Sequence, residues 1–66
     1  MYVSIKKFYY VFPEYEDVSQ VQVVQWSDSE GNYYTLDIEY YGGTHESFVL
    51  FQDDADALGL DIKCHA

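Results

Sequence analysis

Residues 33–41 read Tyr-Tyr-Thr-Leu-Asp-Ile-Glu-Tyr-Tyr, and this stretch decides the fold. Tyr34, Leu36, Ile38 and Tyr40 alternate with Tyr33, Thr35, Asp37, Glu39 and Tyr41. Side chains on a strand point alternately to its two faces, so this pattern predicts an antiparallel strand buried on one side. Just upstream, Asp28-Ser29-Glu30-Gly31-Asn32 is a dense turn cluster, with Gly31 and Asn32 both tolerant of positive φ. Before it, residues 18–27 form a second strand candidate, in which Val21 and Val23 alternate with Gln20 and Gln22. Strands two and three are therefore expected as a hairpin. Val24 and Trp26 fall on the opposite parity, which predicts a strand that is two-faced or kinked.

Outward from the hairpin, Gly42-Gly43-Thr44-His45 turns the chain into a fourth strand over 46–51. The period then changes. Asp53 is a candidate N-cap, with Asp54 and Asp56 in the first turn and Gly59 as the stop. A helix of two turns is not stable alone and is expected to dock Ala57 and Leu58 on the sheet. Leu60, Ile62 and Cys64 alternate after it and predict a short edge strand. At the other end, residues 2–12 are rich in β-branched and aromatic types, a strand composition. Val3 and Ile5 share one parity while Phe8, Tyr10 and Phe12 share the other, so a bulge is expected at Lys6-Lys7, or cover on both faces. Pro13 ends this segment, and Glu14-Tyr15-Glu16-Asp17 makes a polar connection. The expected fold is mainly β: one domain over 1–66, a twisted antiparallel sheet of four or five strands with one short C-terminal helix.

Size and charge bound the function. Sixty-six residues sit near the lower limit for independent folding, where about 60% of the unfolded chain's surface is buried. The single cysteine, Cys64, makes no intrachain disulfide, and one unpaired thiol fits a reducing cytoplasm. Met1–Phe12 does not read as a signal peptide, because Lys6 and Lys7 interrupt its apolar run and no small-residue cleavage site precedes Pro13. Twelve acidic residues against three basic ones give a net charge of −9. That excludes most direct nucleic-acid binding, which needs clustered Lys and Arg, and disfavours anionic membranes. The 20% aromatic content is too high for a disordered acidic tail.

The sharper chemistries find little support in the spacing. Cys64 and His65 are adjacent, and adjacent side chains on a strand point apart, so they form no dyad. Cys64, His65 and His45 lack the CxxC or HxxxH spacing of a zinc site. Asp28, Glu30 and Asn32 occupy positions 1, 3 and 5 of a run ending in Glu39, but a calcium loop needs glycine where Tyr33 stands. Gly42-Gly43 is no phosphate cradle. No catalytic residue, metal or cofactor is expected.

The collective signal is stronger. Asp37 and Glu39 point to one side about 6.6 Å apart, given a strand rise of ~3.3 Å per residue, and Tyr33, Thr35 and Tyr41 share that face. Asp28 and Glu30 lie at the hairpin tip; Glu14, Glu16 and Asp17 lie in the first connection. Carboxylates interleaved with tyrosines offer negative charge, hydrogen-bond acceptors and flat apolar contact, the features that a nucleic-acid-binding Lys/Arg groove receives. The competing explanation is solubility, since acidic surfaces keep small aromatic-rich domains dispersed.

In size, charge and β content the whole chain, with its hairpin-borne Asp28, Glu30, Asp37 and Glu39, resembles the small acidic inhibitors carried by bacteriophages. These include anti-CRISPR proteins, inhibitors of uracil-DNA glycosylase and antirestriction proteins, several of which mimic DNA. No motif carries the resemblance, so no residue role is transferred. It implies a non-enzymatic inhibitor whose partner is a basic nucleic-acid-binding host protein, working in the host cytoplasm. Asp28, Glu30, Asp37, Glu39, Glu14, Glu16 and Asp17 would pair with that protein's Lys and Arg, and Tyr33 and Tyr41 would anchor the contact. Cross-strand packing is the competing role for each tyrosine. The alternative function is a structural or assembly module that homodimerises through a second apolar sheet face.

Overall fold

The computed structural model describes residues 1–64. Strand β1 (Tyr2–Val3) leads into helix α1 (Ile5–Val11), followed by β2 (Val18–Asp28), β3 (Gly31–Tyr40), β4 (His45–Val49) and helix α2 (Gln52–Ala57). The four strands form one antiparallel sheet in the order β1-β2-β3-β4. The mainly-β architecture and the central hairpin are those the alternating residues predict. No helix among the described residues is long and apolar enough to cross a membrane.

The core lies on one face. Val3, Val21, Val23, Leu36 and Ile38 line the inner side of the sheet, and Phe8 from α1 and Ala55 and Leu58 from the α2 end pack onto them. The cross-strand pairs Val21–Ile38 and Val23–Leu36 stack buried aliphatic side chains at its centre. Around Phe8 gather Tyr9, Phe12 and Tyr15, with ring centroids 6.0, 5.2 and 5.2 Å away. Aromatic pairs at such distances contribute about 0.5–1.5 kcal/mol each beyond area burial. Val18 is also buried, although it lies three residues before Val21. A bulge makes this possible: Val18 pairs with Tyr40 and Gln20 with Glu39, leaving Ser19 as the extra residue. The kink in this strand therefore falls at Ser19, whose hydroxyl donates to the Glu39 carbonyl (3.0 Å). Val24 and Trp26 sit on the uncovered outer face.

The N-terminal segment corrects the strand expected over 2–12. Only Tyr2 and Val3 are extended, and residues 5–11 are helical. Ser4 caps the helix: its hydroxyl accepts from the Lys7 N–H (3.5 Å) and its carbonyl from the Phe8 N–H (2.9 Å). Ile5, Phe8, Tyr9 and Phe12 then face the core at i, i+3, i+4 and i+7, a helical stripe. The parity switch at Lys6-Lys7 is this 3.6-residue period and no bulge. Phe12 leaves the helix because the following proline disfavours the α region.

Three smaller expectations are also corrected at the C-terminus. Helix α2 starts two residues early, with Phe51 at the N-cap position and no side-chain cap, so Asp53 lies inside the first turn with Asp54. The side chain it docks is Ala55, with Leu58, while Ala57 is exposed. Leu60, Ile62 and Cys64 form no strand; instead the Gln52 amide holds the segment, donating to the Ile62 carbonyl (3.0 Å) and accepting from the Cys64 N–H (2.8 Å). Gly59 does end the helix, at φ +74°. His65 lies outside the described residues.

Candidate functional site

The acidic residues separate into groups that the chain topology sets apart. Asp28 and Glu30 occupy the β2–β3 tip, where Asp28 pairs with Gly31 at φ +126° and its carboxylate accepts from the Glu30 N–H (2.9 Å). Nine residues along β3, roughly 30 Å at ~3.3 Å per residue, lies Glu39. The tip acids and the Glu39 end therefore cannot contact one partner group together.

At the Glu39 end, two connections converge. The β3–β4 turn is closed by Tyr40 N–H to the Thr44 carbonyl (2.9 Å) and Gly43 N–H to the Tyr40 carbonyl (3.0 Å). The α1–β2 loop is tied to it through the Tyr41 N–H, which donates to the Asp17 carbonyl (2.9 Å). Glu14, Glu16 and Asp17 are thereby brought beside Glu39 and Glu46, with Asp37 one row further along β3. All are exposed except Asp37, which is half-buried. Six carboxylates thus gather around one end of the sheet.

They occupy both faces of that end. On the inner side, Glu14, Tyr15, Glu16, Tyr40 and Glu46 line a shallow groove of about 360 Å³. On the outer side, Gln20, Gln22, Asp37, Glu39 and His45 line another of about 270 Å³. No lysine lines either. Lys6 and Lys7 sit on the first turn of α1, beside a separate groove of about 870 Å³ lined also by Tyr2, Tyr10, Leu58 and Leu60. The Tyr40 hydroxyl donates to the Glu46 carboxylate. This bond pushes the Tyr40 phenol up to about 12, with desolvation and the nearby charge adding to it. Burial, and then the charges of Glu46 and Glu14, also raise the phenol of Tyr15. Both rings thus stay neutral donors beside the acids at neutral pH.

Of the expected contact residues, Glu14, Glu16, Asp17, Asp37 and Glu39 come together; Asp28 and Glu30 do not join them. Tyr33 lies toward the tip, opposite Trp26 and half-buried, while Tyr41 lies past the end of β3 and is largely exposed in the turn. Tyr33, Thr35, Asp37 and Glu39 do share the outer face, but Tyr41 belongs to the turn. Glu46, Tyr15 and Tyr40 are additions to the group. Glu46 was legible in principle, since a turn closed between Tyr40 and Thr44 sets Ile38 against Glu46. Among the described residues no group of three or more His, Cys, Asp or Glu side chains is arranged to hold a metal ion. Comparison with family models, curated proteins and solved structures finds no match.

Proposed function

We propose that this chain is a non-enzymatic inhibitor that occupies the basic nucleic-acid-binding surface of a host defence or DNA-processing protein in the cytoplasm. One observation carries the reading: six carboxylates meet at one end of the sheet, with neutral tyrosine donors among them and no lysine lining either groove there. Like charges held together destabilise a small compact chain by self-repulsion. A partner presenting Lys and Arg relieves that repulsion and gains charge-assisted hydrogen bonds, bidentate where the donor is Arg. The contact surface in this reading is the Glu39 end, with Tyr41 as exposed anchor, and the tip acids Asp28 and Glu30 contribute only long-range steering.

The test is capture from bacterial lysate on immobilised protein. The wild-type chain should retain basic nucleic-acid-binding proteins that are eluted by salt and by added duplex DNA. A variant carrying Glu14→Gln, Glu16→Gln, Asp37→Asn and Glu39→Gln keeps the side-chain shapes and should retain none of them. Equal capture by this variant would end the proposal.

The alternative, an assembly module, is favoured by a different observation. The outer sheet face has no covering element among the described residues, and Tyr2, Trp26 and Val49 stand exposed on it.

A further inference from the structure

The groove of about 870 Å³ where α1 meets β1 and the end of α2 is larger than either acidic groove, and its charge is opposite to theirs. Its volume falls in the range of small-molecule sites. Lys6 and Lys7, two of the three basic residues in the chain, line it, and no acidic residue does. Among the described residues neither ammonium pairs with a carboxylate. The Lys7 side chain crosses from α1 to the turn after α2, where its Nζ lies 3.7 Å from the place a Gly59 β-carbon would take. Its charge is thus set against the wall formed by Leu58 and Leu60. Lys6 and Tyr10 are four residues apart and share one side of α1. Tyr10 is 84% exposed and Tyr2, on β1, 67%. Single exposed rings are ordinary, but two that border one groove beside Leu60 make its lining mostly apolar.

We infer that this groove binds a small aromatic phosphate ester, with its dianionic head between Lys6 and Lys7 and its ring against Tyr2, Tyr10 and Leu60. Charge, rigidity and size select that occupant. Two neighbouring ammonium groups match the roughly two negative charges of a phosphate monoester at neutral pH, which a single carboxylate does not supply. The groove is open to solvent on one side, so a flexible acyl chain would lose rotamer freedom for only partial burial. A rigid ring makes the same contact without that loss, and gains from ring-to-ring geometry. A nucleic acid, an anionic membrane or a second copy would lie across acidic residues outside the groove and be repelled. A small ion is screened from charges beyond about 8 Å at physiological salt. The inference goes beyond the proposed function and uses none of its contact residues.

The experiment is a titration of the isotopically labelled chain with naphthyl phosphate, read by amide chemical shifts. Inorganic phosphate and naphthol serve as head-only and ring-only probes. Naphthyl phosphate should shift the amides of Ser4, Lys6, Lys7, Tyr10 and Leu60 saturably, with a dissociation constant on the order of 1 mM or below. Exposed ion pairs contribute about two- to fivefold each, so naphthol should bind at least fourfold more weakly, and so should the ester to the Lys6→Gln, Lys7→Gln variant. Inorganic phosphate, without the ring contact, should also bind at least fourfold more weakly. Tyr10→Ala, at a position too exposed to affect the fold, should weaken the ester at least threefold. The variant with Glu14→Gln, Glu16→Gln, Asp37→Asn and Glu39→Gln should bind it no less tightly than wild type, and duplex DNA should not displace it. No saturable shift up to about 10 mM, or shifts centred on the Glu39 end, would overturn the inference. So would equal binding of either partial probe, unchanged affinity in the lysine or tyrosine variant, loss of binding in the neutralised one, or displacement by duplex.

Discussion

Replacing Phe8 by Ala and, separately, Tyr10 by Ala tests the most consequential correction to the sequence reading. In an extended segment residues 8 and 10 share a face, so both truncations would be felt. In helix α1 they point apart, and the structure leaves Phe8 fully buried and Tyr10 84% exposed. Phe→Ala in a packed core costs about 3–5 kcal/mol. A chain of this length has a total stability of roughly 3–10 kcal/mol at ~0.05–0.15 kcal/mol per residue. Phe8→Ala therefore removes much or all of it. At about 4–8 °C per kcal/mol, a loss of about 4 kcal/mol lowers the melting temperature by roughly 16–32 °C. Tyr10→Ala should change stability by no more than about 0.5 kcal/mol. Thermal and urea unfolding followed by circular dichroism measures both. If Phe8→Ala is already unfolded at room temperature, Phe8→Leu, at about 1–2 kcal/mol, supplies the graded comparison. A Tyr10→Ala loss equal to that of Phe8→Leu, or a Phe8→Ala protein as stable as wild type, would refute the helical account.

Gln52→Ala removes the amide that spans Asp56, the Ile62 carbonyl and the Cys64 N–H, and should cost about 1–3 kcal/mol while the Cys64 amide loses its exchange protection. At the acidic end, the Tyr40–Glu46 contact needs the neutral phenol, whose ordinary value of 10.0 is raised to about 12 in the folded chain. Its stabilisation is complete below pH 10 and is lost as pH rises through about 12, so the stability difference between wild type and Glu46→Gln should shrink across that window. Gly31→Ala places a side chain at φ +126° with nothing nearby to clash, so backbone strain alone should cost on the order of 1–3 kcal/mol, whereas Gly42→Ala should cost less than about 0.5 kcal/mol.

The hairpin was legible because one physical rule governs it: a half-buried strand must alternate, and residues 33–40 do so without interruption. The N-terminal segment was misread because composition and period disagreed there. Ile5, Phe8, Tyr9 and Phe12 follow the helical spacing behind a Ser4 cap, yet Val, Ile, Tyr and Phe are strand formers by propensity. Tertiary packing of Phe8 against the sheet decided in favour of period. The bulge at Ser19 and the early start of α2 are shifts of one and two residues, set by how Val18 and Ala55 reach the core, and local sequence does not encode them. For the site, the strand pattern put Asp37 and Glu39 on one face. It did not reveal that the loop carrying Glu14, Glu16 and Asp17 returns to that end, because the tie is a backbone bond from Tyr41 to Asp17. Nor did it separate Asp28 and Glu30 from the others, which follows only once strand length is turned into distance.

The proposed function rests on the Glu39 end competing with nucleic acid for one surface. The most direct measurement is fluorescence anisotropy of a labelled DNA duplex bound to the partner captured from lysate, titrated with the chain at constant salt. The account predicts full release of the duplex by the wild-type chain, and at least tenfold weaker release by the variant with Glu14→Gln, Glu16→Gln, Asp37→Asn and Glu39→Gln. A ternary complex of partner, duplex and chain, or equal release by the neutralised variant, would contradict it.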